Sequence, residues 1–270
     1  MFLKNQPTDV KQKRKKDKII IIALAFVFVA SSGMVLMHFI NEALMHLRSR
    51  QARQLVYEVT AGQQVNDAHQ GDLAYDDAGE ESRRIDFEAL REAFGNDDIM
   101  AHLHLDGTVI NYLVVQTTNN DFYQNHDIWR NHSRAGWVFL DYEVNLRSQD
   151  HNIVIYAHNM QREHKFHSLR HFNSYNFFRL HPYIYLTTPY GEYVWEIFSF
   201  YSTMIDFSYN IINFQSETIR NEMLELFEAK SIHNAGVRVS PGERVLTLST
   251  CTGRDRDERY VLHARLVSRH

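Results

Sequence analysis

Twenty-two consecutive uncharged residues, Ile19–Ile40 (IIIIALAFVFVASSGMVLMHFI), constrain this chain more than any other feature. About 20 apolar residues wound as a helix match the hydrocarbon thickness of a bilayer. Only Ser31, Ser32, Gly33 and His38 interrupt the run. On its N-terminal side, residues 1–18 hold seven Lys/Arg against two Asp, a net +5. The positive-inside rule then predicts a cytoplasmic N-terminus, with everything beyond about residue 41 outside the cell. A secretory signal peptide is the competing expectation. The run is longer than a typical h-region, however, and no small-x-small cleavage site closes it.

The remaining residues carry 22 Lys/Arg against 31 Asp/Glu, a net −9. An acidic ectodomain argues against nucleic acid as a partner, because phosphate binding needs a basic face. Residues 41–60 lack Gly and Pro, and Leu44, Leu47, Leu55 and Val59 fall near helical spacing, which predicts a juxtamembrane helix. Residues 61–82 are polar, with three glycines and an acidic stretch at Asp76–Glu81, and predict a spacer. The expected organisation is therefore a basic tail at 1–18, a transmembrane helix at 19–40, a juxtamembrane helix and spacer at 41–82, and one folded domain at 83–270.

Within that domain a short helix is predicted over Asp86–Phe94, burying Phe87, Leu90 and Phe94. From about residue 99 the hydrophobic period approaches two. Strands are predicted at Met100–Leu105, Ile110–Gln116, Trp137–Asp141, Asn152–Tyr156, Tyr183–Thr187, Tyr193–Tyr201, Arg244–Thr250 and Tyr260–Val267. Turn signals such as Asp106-Gly107 and Pro241-Gly242 separate several of them. Helical insertions are predicted around Phe166–Phe172 and over Glu217–Lys230, the latter with Ile219, Met223, Leu226 and Phe227 on one face. The fold class is mainly β: a closed eight-stranded barrel with helical insertions, preceded by a transmembrane helix.

The single cysteine, Cys251, ends an apolar strand (VLTLSTC), and Arg259 opens the next (RYVLHARLV). If the two strands form a hairpin around Thr252–Glu258, Cys251 and Arg259 face each other, with Cβ atoms about 5 Å apart. A cation there can activate a thiol or hold a developing oxyanion. The same residues also fit a buried small hydrophobe beside an arginine paired with Asp255, Asp257 or Glu258. A proton partner is available in His158, just past the apolar strand Asn152–Tyr156.

Together these stretches resemble the sortases, cysteine transpeptidases of the Gram-positive cell surface. TLSTC, RYVLHARL and Tyr156-Ala-His-Asn-Met160 are similar to the three family signatures, over roughly residues 83–270. Class B is the better match, through Ile110-Asn-Tyr-Leu-Val-Val-Gln116, Asn119-Asn-Asp-Phe-Tyr123, Gly136-Trp-Val-Phe-Leu-Asp141, Asp150-His-Asn152 and the 217–230 helix. The chain departs from the family at Ala157 and Leu113, where Gly and Pro are usual, and at Ala101-His-Leu, where a Trp is common.

The resemblance implies that Cys251 attacks the carbonyl of a Thr in a C-terminal sorting signal, that His158 is the general acid/base, and that Arg259 stabilises the oxyanion. It implies that Ser249, Tyr156, Asn120, Ile205 and Tyr209 line the peptide groove. The implied partners are surface proteins bearing that signal and a cell-wall amine, from a lipid II-like precursor or from peptidoglycan. No cofactor or metal is implied, and His158, His164, His167 and His171 read as a solvated face. A cysteine endopeptidase that hands the acyl group to water, and an inactive surface β-barrel binding module, are the alternative functions.

Overall fold

The computed structural model describes residues 7–70, 85–148, 150–160 and 164–270. The chain divides into two compact units, Met1–Gln51 and Ala52–His270. Helix α1 (Pro7–Gln70) begins in the first and continues into the second. Within it, Asp17–Asn41 is long and apolar enough to cross a membrane, and its apolar side chains are exposed. Ser31 returns its hydroxyl to the Phe28 carbonyl at 2.9 Å, which satisfies a polar group inside this apolar run.

The helix runs without a break through the predicted juxtamembrane segment and ten residues into the predicted spacer. Gly62 costs about 1 kcal/mol in a helix interior relative to Ala, which does not stop the helix, because residues 41–70 hold no other Gly and no Pro. The Asp76–Glu81 stretch lies outside the described residues. In the second unit Ala52 is buried, and Leu55 and Val56 pack against the central core.

Helix α2 (Phe87–Phe94) is fixed at both ends by its sequence. Asp86 Oδ1 accepts from the backbone amides of Glu88 and Ala89, and Gly95 closes the helix with φ near 60°. The elements that follow are β1 (Ile99–Leu105), β2 (Asn111–Val115), β3 (Phe139–Leu140), β4 (Asn152–Tyr156), β5 (Asn159–Met160), β6 (His164–Lys165), α3 (Tyr175–Leu180), β7 (Tyr183–Thr188), β8 (Gly191–Met204), α4 (Glu217–Lys230), β9 (Val245–Cys251) and β10 (Glu258–Arg269).

Eight strands close a barrel in the order β1-β2-β3-β4-β9-β10-β8-β7, with β7 returning to β1. The β2–β3 and β4–β9 pairs are parallel and the others antiparallel. All eight predicted strands are present, and β8 and β10 extend several residues further than the pattern suggested. The predicted insertion at 166–172 is a 3-10 stretch, His167–Asn173, followed by α3. The short β5–β6 hairpin is a separate two-stranded sheet.

The strands carry two hydrophobic clusters, and period two explains why. In β9 and β10, Leu246, Leu248, Leu262 and Ala264 join the central core. The alternate residues Val245 and Val261 join Phe198, Tyr201, Tyr209, Leu224 and Phe227 in a second cluster beneath α4. The buried face of α4 is Leu224 and Phe227 with Met223 at its edge; Ile219 and Leu226, predicted on that face, are exposed. Phe227 sets this rotation by stacking on His263 of β10, with ring centroids 4.0 Å apart.

Candidate active site

Cys251 is the last residue of β9 and is directly opposite Arg259 on β10. The neighbouring pair is hydrogen bonded, Thr252 N–H to Glu258 O at 3.1 Å, so Cys251 and Arg259 form a non-hydrogen-bonded pair. In such a pair the side chains approach most closely, with Cβ atoms about 4.5–5.5 Å apart. The guanidinium is tethered at the base of the loop, where Nη1 donates to Arg256 O at 2.5 Å and Glu258 O at 3.1 Å.

On its other side β9 lies parallel to β4, with Tyr156 beside Ser249. Two further contacts carry this register past the end of β4. Ala157 N donates to Ser249 O at 3.3 Å, and Thr250 Oγ1 donates to Ala157 O at 2.7 Å. The same register brings His158 alongside Cys251. His158 Nε2 is 2.8 Å from the carbonyl oxygen of Gln124, which can only accept, so Nε2 carries the hydrogen and Nδ1 is left for proton exchange. Gly136 permits this loop packing: at φ 54° it passes so close that a Cβ would lie 2.7 Å from Gln124 O.

The segment after β8 closes over the face that holds the thiol. Tyr209 OH and Ser249 Oγ are 2.9 Å apart. Burial pushes the Tyr209 phenol pKa up; its bond to Ser249 and the charge of Arg259 pull it back, and Cys251 adds to the rise. One phenol thus senses both members of the Cys251–Arg259 pair.

Behind Tyr209 runs a buried polar chain. Asn152 Nδ2 donates to the carbonyls of Tyr209 and Ile211, and Asn152 Oδ1 accepts from Thr247 Oγ1 at 2.6 Å. With its hydrogen used there, Thr247 accepts from His263 Nδ1 at 2.8 Å, and Tyr201 OH donates to His263 Nε2 at 2.8 Å.

A second network links the remaining predicted groove residues. The buried Asp141 carboxylate accepts from Asn120 Nδ2 at 2.9 Å and Tyr156 OH at 3.0 Å on Oδ2, and from Glu143 N–H at 3.0 Å on Oδ1. Asn210 Nδ2 donates to Tyr156 OH at 3.2 Å, and Gln124 Nε2 donates to Asn120 O at 2.8 Å. Asn210, which holds Tyr156, lines an open cleft of about 630 Å³ together with Glu143, Ser208 and Ile211–Asn213. Ile205, half exposed, lies on the other side of the thiol, where its N–H meets Asp257 O at 2.9 Å.

A sortase-domain family model matches residues 103–267, more than half of the chain, from the last residues of β1 into β10. The chain belongs to the sortase family. Sortase B of Staphylococcus aureus is 33% identical over 172 residues, covering 64% of this sortase and 70% of the relative; sortase B of Listeria monocytogenes is 33% identical over 176 residues, covering 64% and 72%. The solved S. aureus sortase B–substrate complex matches with TM-score 0.68 at 28% identity, covering 82% of this sortase and 99% of that chain. Clostridium perfringens sortase B gives TM-score 0.64 at 32% identity, covering 68% and 100%. Class B is therefore the family branch of this sortase, and its barrel is the sortase B barrel.

Sequence reasoning missed several residues that organise this site in the sortase. Asp141 stands in the sequence as the end of a predicted strand and of a class B-like stretch, with no role in the site assigned to it, although an acid closing an apolar run asks for partners. Gln124 acts through its backbone carbonyl, which leaves no residue-type signal. Asn159 adjoins His158, yet its bond to the Cys251 carbonyl joins positions 92 apart in sequence. Among the histidines considered together, His158 is bonded to Gln124 and His167 to Asn159 and Arg170. No three metal-ligating side chains converge among the described residues.

Proposed function

We propose that this chain is a membrane-anchored class B sortase in which Cys251 is the nucleophile, His158 the general acid/base and Arg259 the oxyanion-stabilising cation. Residues 1–18 form a cytoplasmic tail, 19–40 the anchor, 41–82 the connection and 83–270 the catalytic domain outside the cell. The observation that carries the reading is the double register of β9. It pairs Cys251 with Arg259 on one side and brings the His158 turn alongside on the other.

In the mechanism, the Cys251 thiolate adds to the Thr carbonyl of a sorting signal, and Arg259 faces the resulting oxyanion. Collapse breaks the peptide bond as His158 Nδ1 gives a proton to the leaving amine, and a thioester remains on Cys251. A cell-wall amine, from a lipid II-like precursor or from peptidoglycan, then attacks. His158 takes its proton, and the thiolate leaves with a new amide bond formed. Tyr156, Asn120, Ser249, Tyr209 and Ile205 border the peptide path. That sortase B of S. aureus is solved as a substrate complex supports this reading.

The test incubates the full chain in detergent with a pool of sorting-signal peptides and amine acceptors, with products identified by mass spectrometry. The expected product is acyl-amine, absent with Cys251→Ala. Ligation unchanged by Cys251→Ala would overturn the mechanism, and hydrolysed peptide alone at saturating amine would replace it with an endopeptidase.

A further inference from the structure

The two strand ends that carry Cys251 and His158 are joined by a side chain outside the catalytic trio. Because Cys251 and Arg259 form a non-hydrogen-bonded pair, the Cys251 carbonyl points away from β10, toward β4. The β4 strand has ended at Tyr156, and the chain turns through His158 into β5. Asn159 Nδ2 takes up the Cys251 carbonyl there at 2.8 Å. A side-chain amide thus adds one more rung to the β4–β9 ladder, level with the thiol.

The orientation of that amide is fixed by what lies behind it. Asn159 Oδ1 is 2.5 Å from His167 Nδ1, and His167 Nε2 is 2.8 Å from Arg170 Nη1. A guanidinium only donates, so Nε2 accepts and the proton is on Nδ1, directed at Asn159 Oδ1. At the other end a backbone carbonyl only accepts. Every group between Arg170 and Cys251 therefore has one available role. A flipped Asn159 amide would set nitrogen against the His167 donor and oxygen against the Cys251 carbonyl. The β5–β6 pairing of Asn159 with Lys165, and the bond from Phe166 N to His158 O at 3.2 Å, brace the turn from behind.

We infer that Asn159 is a positioning residue that sets the separation of His158 from Cys251, with His167 and Arg170 locking its amide in the working orientation. The inference rests on the reading of Cys251 and His158 as nucleophile and general acid/base. A misplacement of about 1 Å between reacting groups can cost on the order of 100-fold in rate. The loss belongs in kcat, because Asn159 binds the enzyme's own backbone and not the peptide groove.

The test uses the full chain in detergent, with kcat normalised to the fraction of Cys251 that reacts with a thiol-alkylating titrant. Asn159→Asp is nearly isosteric but loses the donor, and Asn159→Ala loses both bonds. Both are expected to lower kcat about 10- to 100-fold with peptide KM within about twofold of wild type. His167→Gln keeps a donor for Asn159 and an acceptor for Arg170, and is expected to retain at least about tenfold more activity than His167→Leu. A kcat within threefold of wild type in both Asn159 variants would overturn the inference. So would a loss that vanishes on normalisation, or equal activity of His167→Gln and His167→Leu. If Cys251→Ala is itself active, the functional reading fails first; if it is dead while the Asn159 variants work normally, only the positioning role fails.

Discussion

Tyr156 donates its phenol hydrogen to Asp141 at 3.0 Å, on the same carboxylate oxygen that accepts the Asn120 amide at 2.9 Å. Two side chains expected to touch a peptide are thereby fixed by one acid that is only 4% exposed. Burial, with the Asp141 charge second, pushes the Tyr156 pKa far above its ordinary value, so the phenol stays a hydrogen-bond donor.

Asp141→Asn is expected to weaken peptide binding before it weakens chemistry. Asp141 is surrounded by donors from Asn120, Tyr156 and Glu143, so an introduced NH₂ meets another donor. A buried polar mismatch costs about 1–3 kcal/mol. Thermal denaturation is expected to show a Tm lower by about 2–12 °C. Steady-state kinetics is expected to show KM rising by a larger factor than kcat falls. A lowered Tm with unchanged KM would mean that Asp141 supports the barrel and not the groove.

The Tyr209–Ser249 pair is expected to behave as a unit. Tyr209→Phe strips Ser249 of its partner, and Ser249→Ala leaves a buried phenol without one. Removing both leaves no orphan. The double variant is therefore expected to be destabilised by about 0.5–1.5 kcal/mol less than the sum of the singles. Denaturant midpoints of the four proteins give this directly; strict additivity would show that the hydroxyls do not depend on each other.

Arg259→Lys keeps a positive charge opposite Cys251 but loses the planar fork that is tied to the Arg256 and Glu258 carbonyls. Loss of one well-placed oxyanion donor lowers kcat about 100- to 1000-fold. The expected loss is in thioester formation, followed by rapid-quench mass spectrometry with a sorting peptide. Thioester forming within fivefold of the wild-type rate would remove Arg259 from the oxyanion role.

The β4, β9 and β10 strands are legible because each holds a short apolar run with β-branched residues, and because the Cys251–Arg259 register follows from a hairpin around a short charged loop. The barrel they build fits the sortase B fold. The supporting networks were not legible. Asp141, Asn120, Tyr156 and Asn210 meet only after three loops converge, and a carbonyl such as Gln124 O looks the same in any residue. The two-residue strands β5 and β6 are too short to show a period. The last turns of α1 are hidden for the opposite reason, since a polar composition predicts loop where helix propensity still holds. In α4 the apolar residues span more than one face, and docking on His263 decides which is buried.

His263 ties folding stability to pH through the thiol-bearing strand. It is fully buried between Phe227 and Tyr201, and burial lowers its pKa to about 3. In the unfolded chain an ordinary His titrates near 6.5. Between about pH 6.5 and 3 the unfolded state therefore binds a proton that the native state refuses. Stability from this group is complete above pH 6.5 and falls as pH drops, by about 1.4 kcal/mol per pH unit in the middle of that window. Protonation would also put a hydrogen on Nε2 against the Tyr201 hydroxyl, reversing that bond at the head of the chain through Thr247 and Asn152 to the Tyr209 carbonyl. Chemical denaturation at pH 7, 5.5 and 4 is expected to show wild-type stability falling more steeply than that of His263→Gln, by about one proton's worth of slope. Parallel slopes for the two proteins would show that His263 is not the group that couples them.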